Sequence, residues 1–135
     1  MTKEIIFNGI HFKNYGKKNI DKLFDQNGLI VLPSGPGLSY INKDKIYLQA
    51  LRNSDQVLLD SGYFVLLLKF FKNISVNKLS GYLFFTHLVK HLQKKKFRKL
   101  LSIDPNHKLS INNNNFFLKK GLNNNKIIHY IAPKY

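Results

Sequence analysis

The stretch SDQVLLDSGYFVLLLKFF, residues 54–71, decides the fold because it joins two apolar runs across a short polar turn. The first run, residues 56–59, has the length and composition of a strand buried on both faces. The second run, residues 62–71, is predicted to form a largely buried helix. Between them stands Asp60, one of only seven acidic residues in a chain of 135. Since burial of an unpaired carboxylate is unfavourable, Asp60 needs either a partner or a function.

Outward from this stretch, the sequence alternates between predicted strands and predicted helices. The other strands are expected within residues 3–14, 29–32, 98–103 and 126–132, and the other helices within residues 19–26, 39–52, 81–96 and 112–122. The Pro-Ser-Gly-Pro-Gly segment, residues 33–37, is predicted to be a turn. Buried strands separated by helices predict an α/β fold with a Rossmann-like, mostly parallel sheet and helices on both faces.

The composition indicates one globular domain covering residues 1–135. The absence of Cys excludes disulfides and thiolate metal sites. No signal peptide or membrane span is predicted, which favours a cytoplasmic location. The net charge of +15 comes almost entirely from lysine. Because lysine lacks the bidentate guanidinium fork, no specific nucleic-acid partner is expected, although such a surface favours diphosphates and anionic lipids.

Three polar turns follow predicted strands, at residues 32–37, 60–62 and 104–106. In parallel sheets, ligands bind at the carboxyl ends of the strands, so these turns are expected to meet along one edge. Glycines in such turns let backbone N–H groups approach phosphate oxygens. The predicted ligand-binding residues at these turns are Ser34, Gly35, Gly37, Ser61, Gly62, Asp104 and Asn106.

Several polar residues of the chain also have a structural interpretation. Asp60 suits the N-cap of the helix that begins at Gly62. Asp104 either contacts a nucleotide or belongs to an ordinary Asp-Pro-Asn turn. The Asn runs at residues 112–115 and 123–125 are interpreted as compositional bias around a helix. His87 and His91 lie four residues apart, but no Cys or acidic residue accompanies them, so no metal site is predicted.

The segment NKDKIYLQALRNSDQVLLDSGYFVLLLKFFKNISVNKLSGYLF, residues 42–85, resembles the WecG/TagA/CpsF family of bacterial glycosyltransferases. The resemblance rests on the Asp-Ser-Gly strand end, the buried helix that follows it, and a basic residue before a glycine that opens the next helix. LPSGPGL and the final FFLKKGLNNNKIIHYIAPKY extend the resemblance over nearly the whole chain. The chain corresponds to about the first two thirds of the family's domain.

The resemblance implies a metal-independent, inverting transfer of an N-acetylmannosamine-type sugar from a UDP donor to a lipid-diphosphate-linked acceptor. It implies no cofactor and a location at the cytoplasmic face of the membrane, with peripheral contact to anionic lipid. In the family, the aspartate at the position of Asp60 is the proposed general base. The family's basic residue and glycine fall at Lys78 and Gly81, which implies that both contact substrate.

The chain also departs from the family pattern at several positions. A threonine proposed as catalytic in the family falls at Leu32, and an acidic residue of the family is replaced by Leu83. The family's later Pro-Lys-Gln-Glu segment and basic tail have no counterpart before Tyr135. From these departures we expect a truncated domain that binds donor weakly and turns over slowly or not at all. We also expect an uncovered sheet surface that favours self-association, so a homo-oligomer is possible.

Overall fold

The computed structural model describes residues 3–95 and 99–133. The chain divides into two compact units, Met1–Phe85 and Thr86–Tyr135. The predicted α/β class is confirmed, since parallel strands flanked by helices form the fold. The organisation of residues 1–135 as one domain stays a prediction.

The first unit contains a four-stranded sheet. Its strands are β1 (Lys3–Phe7), β2 (Ile10–Asn14), β3 (Ile30–Val31) and β4 (Gln56–Leu58), in the order β1-β2-β4-β3. Strand β4 is parallel to both of its neighbours, whereas β1 and β2 form an antiparallel hairpin. At the hairpin turn, Asn8 and Gly9 both have positive φ, 51° and 73°. A tight Asn-Gly turn of this kind matches the right-handed twist of the two strands.

The helices of the first unit differ from the prediction before β4 and agree with it after β4. They are α1 (Gly35–Ser39), α2 (Lys45–Arg52), α3 (Gly62–Lys72) and the start of α4 (Gly81–Lys94), with a short 3₁₀ helix at Ile20–Asp25. The turn predicted at residues 33–37 is shorter than expected, because α1 begins at Gly35, with Pro36 in its first turn, where a missing N–H is tolerated. The single helix predicted over residues 39–52 is wrong. Asp44 accepts a hydrogen bond from the Tyr47 N–H at 2.8 Å and starts α2 separately.

Apolar side chains cover both faces of this sheet. On one face, Val57 and Leu59 belong to a core that includes Phe64 and Leu68 of α3. On the other face, Leu58 belongs to a core built with Ile20, Leu23 and Leu79. All of these residues are at least 90% buried. The apolar run at residues 57–59 is therefore buried on both sides, as its composition predicts, and it fixes the turn that follows it.

The second unit contains a two-stranded parallel sheet of β5 (Leu100–Asp104) and β6 (Ile127–Ile131). Between these strands lie α5 (His107–Lys119) and a 3₁₀ turn at Asn124–Lys126. Helix α5 begins five residues before the predicted start at residue 112, because Asn106 accepts a hydrogen bond from the Leu109 N–H at 2.9 Å and caps it there. Among the described residues, β5 pairs only with β6, so the prediction of one common sheet edge for all three polar turns is wrong.

Within residues 3–95 and 99–133, no helix has the length and apolar composition needed to cross a membrane.

Candidate functional site

Asp60 lies just beyond the end of β4, where the sequence predicts the site. Its Oδ1 accepts a hydrogen bond from the backbone N–H of Gly81 at 3.0 Å, so the carboxylate caps the start of α4. Asp60 is half-buried, and no donor in the described part of the chain is paired with its Oδ2. The suggested N-cap role at the Gly62 helix is wrong, since that helix has another cap. The carboxylate is held through one oxygen and leaves the other for a further contact.

Ser61 and Gly62 form the N-terminus of α3 next to this carboxylate. The buried Ser61 side chain accepts a hydrogen bond from the Phe64 N–H at 3.2 Å and is the N-cap of α3. The Val65 N–H donates to the Ser61 carbonyl at 3.1 Å. The N–H groups of Gly62 and Tyr63 precede these bonds and have no acceptor within the helix. The positive end of α3 is thus directed toward the space beside Asp60.

Lys78 supplies a positive charge at the same place. A Cβ atom built on Gly62 would lie 3.2 Å from the Lys78 Nζ. The end of the lysine side chain therefore lies directly against Gly62. Among the residues that the structure describes, no carboxylate is within ion-pair distance of Lys78, and its side chain is exposed. The absence of a side chain at Gly62 therefore allows an ammonium group to lie at the helix N-terminus.

One residue of the Pro-Ser-Gly-Pro-Gly segment, Gly35, lies close to Ser61. A Cβ atom on Gly35 would lie 3.1 Å from the Ser61 Oγ, which places the start of α1 against the start of α3. Ser34 occupies the N-cap position of α1 without a side-chain capping bond and is exposed. Gly37 faces a different group, since its Cβ would lie 2.9 Å from the Tyr47 hydroxyl.

Of the two cavities described for the first unit, one adjoins these residues. One of about 160 Å³ adjoins Gly35, Ser61 and Tyr63, and its other lining residues are mostly apolar. This volume is below the roughly 300–1,000 Å³ of typical small-molecule sites, so it suits part of a ligand only. A cavity of about 310 Å³ lies between β3 and α2 and contains none of the predicted site residues.

Asp104 forms a separate polar centre inside the second unit. Its side chain is 1% exposed. Its Oδ2 lies 2.7 Å from the His129 Nδ1, and its Oδ1 accepts hydrogen bonds from Asn113 Nδ2 at 2.7 Å and Ser102 Oγ at 2.8 Å. The His129 Nε2 lies 3.2 Å from the Asn114 Oδ1. This geometry favours the structural interpretation of Asp104 over a nucleotide contact, because both carboxylate oxygens are occupied.

The hydrogen bonds of this centre determine its charge state. Burial acts to raise the pKa of Asp104, but hydrogen bonds from His129, Asn113, Ser102 and Ser110 outweigh burial and lower the pKa from 3.8 to about 2. The ionised carboxylate is therefore the stable form in the folded unit. The centre links β5, α5 and β6 through one buried negative charge.

This pKa leads to an expected dependence of stability on pH. Since the folded-state pKa of about 2 lies below the ordinary 3.8, ionised Asp104 stabilises the folded unit above about pH 4. That contribution is lost as the pH falls from about 4 to about 2. Urea unfolding across this range, for the wild type and Asp104→Asn, measures the effect. We expect the difference in unfolding free energy between them to shrink toward low pH, and a constant difference would contradict the assignment.

The sequence interpretation missed His129, Asn113 and Asn114 as structural residues. The Asn run at residues 112–115 was interpreted as compositional bias, which is wrong for Asn113 and Asn114, because their amides contact Asp104 and His129. One signal was present in the sequence. His129 alternates with Ile127 and Ile131 along β6 on the half-buried face, and an inward histidine requires a polar partner.

No match to the chain is found among protein-family models, curated proteins or solved structures. The resemblance to the WecG/TagA/CpsF glycosyltransferases stays a prediction. The geometry brings Asp60, Ser61, Gly62, Lys78 and Gly81 together, with Gly35 beside Ser61. It places Asp104 and Asn106 in the second unit, where both have structural hydrogen bonds.

Proposed function

We propose that the chain is an inverting, metal-independent glycosyltransferase of the WecG/TagA/CpsF type. It moves an N-acetylmannosamine-type sugar from a UDP donor to a lipid-diphosphate-linked acceptor in cell-surface polysaccharide synthesis. It acts on the cytoplasmic side of the membrane. The observation that carries the proposal is the Asp60 carboxylate, which is fixed through Oδ1 and open at Oδ2 beside the N-terminus of α3.

The reaction assigns a distinct role to each group. Asp60 Oδ2 takes the proton of the acceptor hydroxyl as its oxygen bonds to the anomeric carbon. The bond between that carbon and the diphosphate breaks on the opposite face, and UDP leaves with the electron pair. Negative charge that develops on the diphosphate is stabilised by the N–H groups of Gly62 and Tyr63 and by the Lys78 ammonium group. These donors supply the positive field that the leaving group requires.

The test is transfer of radiolabelled sugar from UDP-N-acetylmannosamine, or from its uronic acid, to an N-acetylglucosamine lipid-diphosphate analogue. We expect labelled lipid product with inverted anomeric configuration. Lys78→Gln should weaken UDP binding, whereas the matched surface variant Lys45→Gln should not, because Lys45 is exposed at the start of α2. Absence of transfer with either donor, together with absence of UDP binding, would overturn the proposal.

A second candidate is a non-catalytic basic module that binds an anionic ligand such as nucleic acid. It is favoured by the net charge of +15 and by the capping role of Asp60, which requires no chemistry. Titration with UDP and with random-sequence DNA separates the two. Salt-dependent DNA binding without UDP binding would support the second candidate.

A further inference from the structure

Strands β2 and β4 are parallel neighbours, so both end at the edge of the sheet where Asp60 lies. In their register, Lys13 is level with Leu58. The same register continued by two residues places Tyr15 level with Asp60, and Tyr15 packs in the same core as Leu58. Neighbouring strands lie about 4.8 Å apart, so the chain that leaves β2 passes close to the carboxylate.

The chain leaves these two strands toward opposite faces of the sheet. After β2 it enters the core that contains Ile20 and Leu23. After β4 it enters the core that contains Phe64 and Leu68, and α1 and α2 pack against that same core. In open α/β sheets, ligands bind at the carboxyl edge where neighbouring connections diverge in this way. The ligand crevice is therefore expected between β2 and β4, on the side of Asp60 that is away from α1.

The segment before α4 crosses this edge and contacts both sides of it. The Asn77 N–H donates a hydrogen bond at 2.9 Å to Oδ1 of Asn14, the last residue of β2. A Cβ atom on Gly16 would lie 3.4 Å from the Asn77 Nδ2. The next residue, Lys78, lies against Gly62 at the start of α3. Two consecutive residues thus connect the end of β2 with the N-terminus of α3.

The chain that follows β2 presents two lysines at this place. Residues 16–19, which we call the β2 turn, are closed by a hydrogen bond of 3.0 Å from the last N–H to the first carbonyl. Lys17 and Lys18 are exposed, and within the described residues no carboxylate is within ion-pair distance of either. Lys17 is two residues beyond Tyr15, at most about 7 Å of extended chain. Both ammonium groups are therefore close enough to meet a ligand between β2 and β4.

We propose that the β2 turn binds a diphosphate. Lys17 and Lys18 hold it from the β2 side of the crevice, and Lys78 holds it together with the N-terminus of α3 from the other side. A diphosphate suits this arrangement because its two phosphoryl groups carry negative charge that separate lysines neutralise as point charges. The inference rests on the proposed function for the identity of the ligand, since the diphosphate belongs either to the UDP donor or to the lipid-linked acceptor.

Calorimetric titration of the full chain with inorganic pyrophosphate tests the proposal without any sugar transfer. We expect pyrophosphate to bind. Lys17→Gln with Lys18→Gln should weaken this binding about tenfold, because two positive charges next to the phosphoryl groups are lost. Circular dichroism verifies that the variant folds, which is expected because both lysines are exposed in a turn.

The matched control is Lys43→Gln with Lys45→Gln, which removes the same charge from two exposed positions. These lysines flank the start of α2, close in sequence to Asn42, whose side chain accepts a hydrogen bond from Asn8 in the β1–β2 hairpin turn at the opposite edge of the sheet. Salt screens exposed charges at such a distance, so the control should weaken pyrophosphate binding far less.

Titrations with UDP and with the N-acetylglucosamine lipid-diphosphate analogue separate the two sources of the diphosphate. If the β2 turn holds the diphosphate of the donor, the Lys17 and Lys18 substitutions weaken UDP binding as much as pyrophosphate binding. If it holds that of the acceptor, they weaken binding of the analogue and leave UDP binding unchanged. Either result supports the proposal.

The proposal fails if pyrophosphate does not bind, or if the two lysine pairs weaken its binding equally, because total charge alone would then explain the effect. Transfer activity with no effect of Lys17 and Lys18 on any of the three ligands would refute this inference and leave the proposed function intact. Pyrophosphate binding that depends on these lysines, without transfer and without UDP binding, would retain the diphosphate site and refute the proposed function.

Discussion

Asp60→Asn is expected to lower the rate of sugar transfer by about 10²–10⁴-fold, the usual contribution of a general base. Asparagine retains an oxygen that accepts the Gly81 N–H, so the start of α4 keeps its cap. It cannot take a proton from the acceptor hydroxyl. The loss should therefore appear in the rate of transfer, with little change in UDP binding and in the melting temperature.

The matched control for this variant is Asp44→Asn. Asp44 also caps a helix, through the Tyr47 N–H, but it is exposed at the start of α2. It should keep full transfer activity. If Asp60→Asn were as active as Asp44→Asn, Asp60 would be a structural cap only, and the assignment of the base would be lost. Asp60→Ala adds a second measure, since loss of the hydrogen bond from the Gly81 N–H should cost about 1 kcal/mol of stability, while Ser80 still caps α4 through the Leu83 N–H at 3.3 Å.

Asp104→Ala is expected to destabilise the second unit by about 3–5 kcal/mol. The substitution removes a buried carboxylate and leaves the donors of His129, Asn113 and Ser102 without their acceptor. These donors are half-buried, so water replaces the lost carboxylate only in part and the unpaired donors cost free energy. Amide hydrogen exchange of β5 and β6 measures the effect, and we expect exchange in both strands to become faster.

Asn106→Ala is the matched control in the same unit. It removes the cap of α5 at an exposed position and should cost about 1 kcal/mol. Exchange in β5 and β6 should be affected far less than by Asp104→Ala. Equal effects of the two substitutions would show that the buried carboxylate contributes no more than an exposed cap.

The sequence predicts the centre of the first unit well and its periphery less well. Composition is enough to predict the strand and the helix within residues 56–71. Val57, Leu58 and Leu59 place apolar side chains on both faces of the sheet, and Gly62 begins an apolar helix. The region before β4 was misjudged for a local reason. Tyr40, Ile41, Ile46 and Tyr47 have helical spacing, but the Asp44 cap interrupts the helix between them.

The candidate site was predicted in part, for a similar reason. Asp60, Ser61 and Gly62 are contiguous and follow a strand, so their location can be inferred from element order. The structure places Gly81 and Lys78 near that turn, a proximity that the sequence offered only through the family resemblance, which stays a prediction. The Asp104 centre could not be inferred, because it combines side chains from β5, α5 and β6 that are far apart in the sequence. Such contacts depend on strand register and helix rotation, which composition does not specify.

The hydrogen bonds of Asp104 also have a consequence for the order of folding. Leu100 pairs with Ile127 across a single intervening helix, whereas Phe12 pairs with Val57 only after β3, α1 and α2 have been passed. Shorter loops close at lower entropic cost, so the β5–α5–β6 segment has the more local topology. Because Asn113 of α5 and His129 of β6 both bind the carboxylate at the end of β5, the full set of contacts forms only when strand register and helix rotation are both correct. A register slip of one residue would turn His129 to the opposite face and leave the charge of Asp104 without a partner, so the segment has a built-in penalty against misfolded pairings.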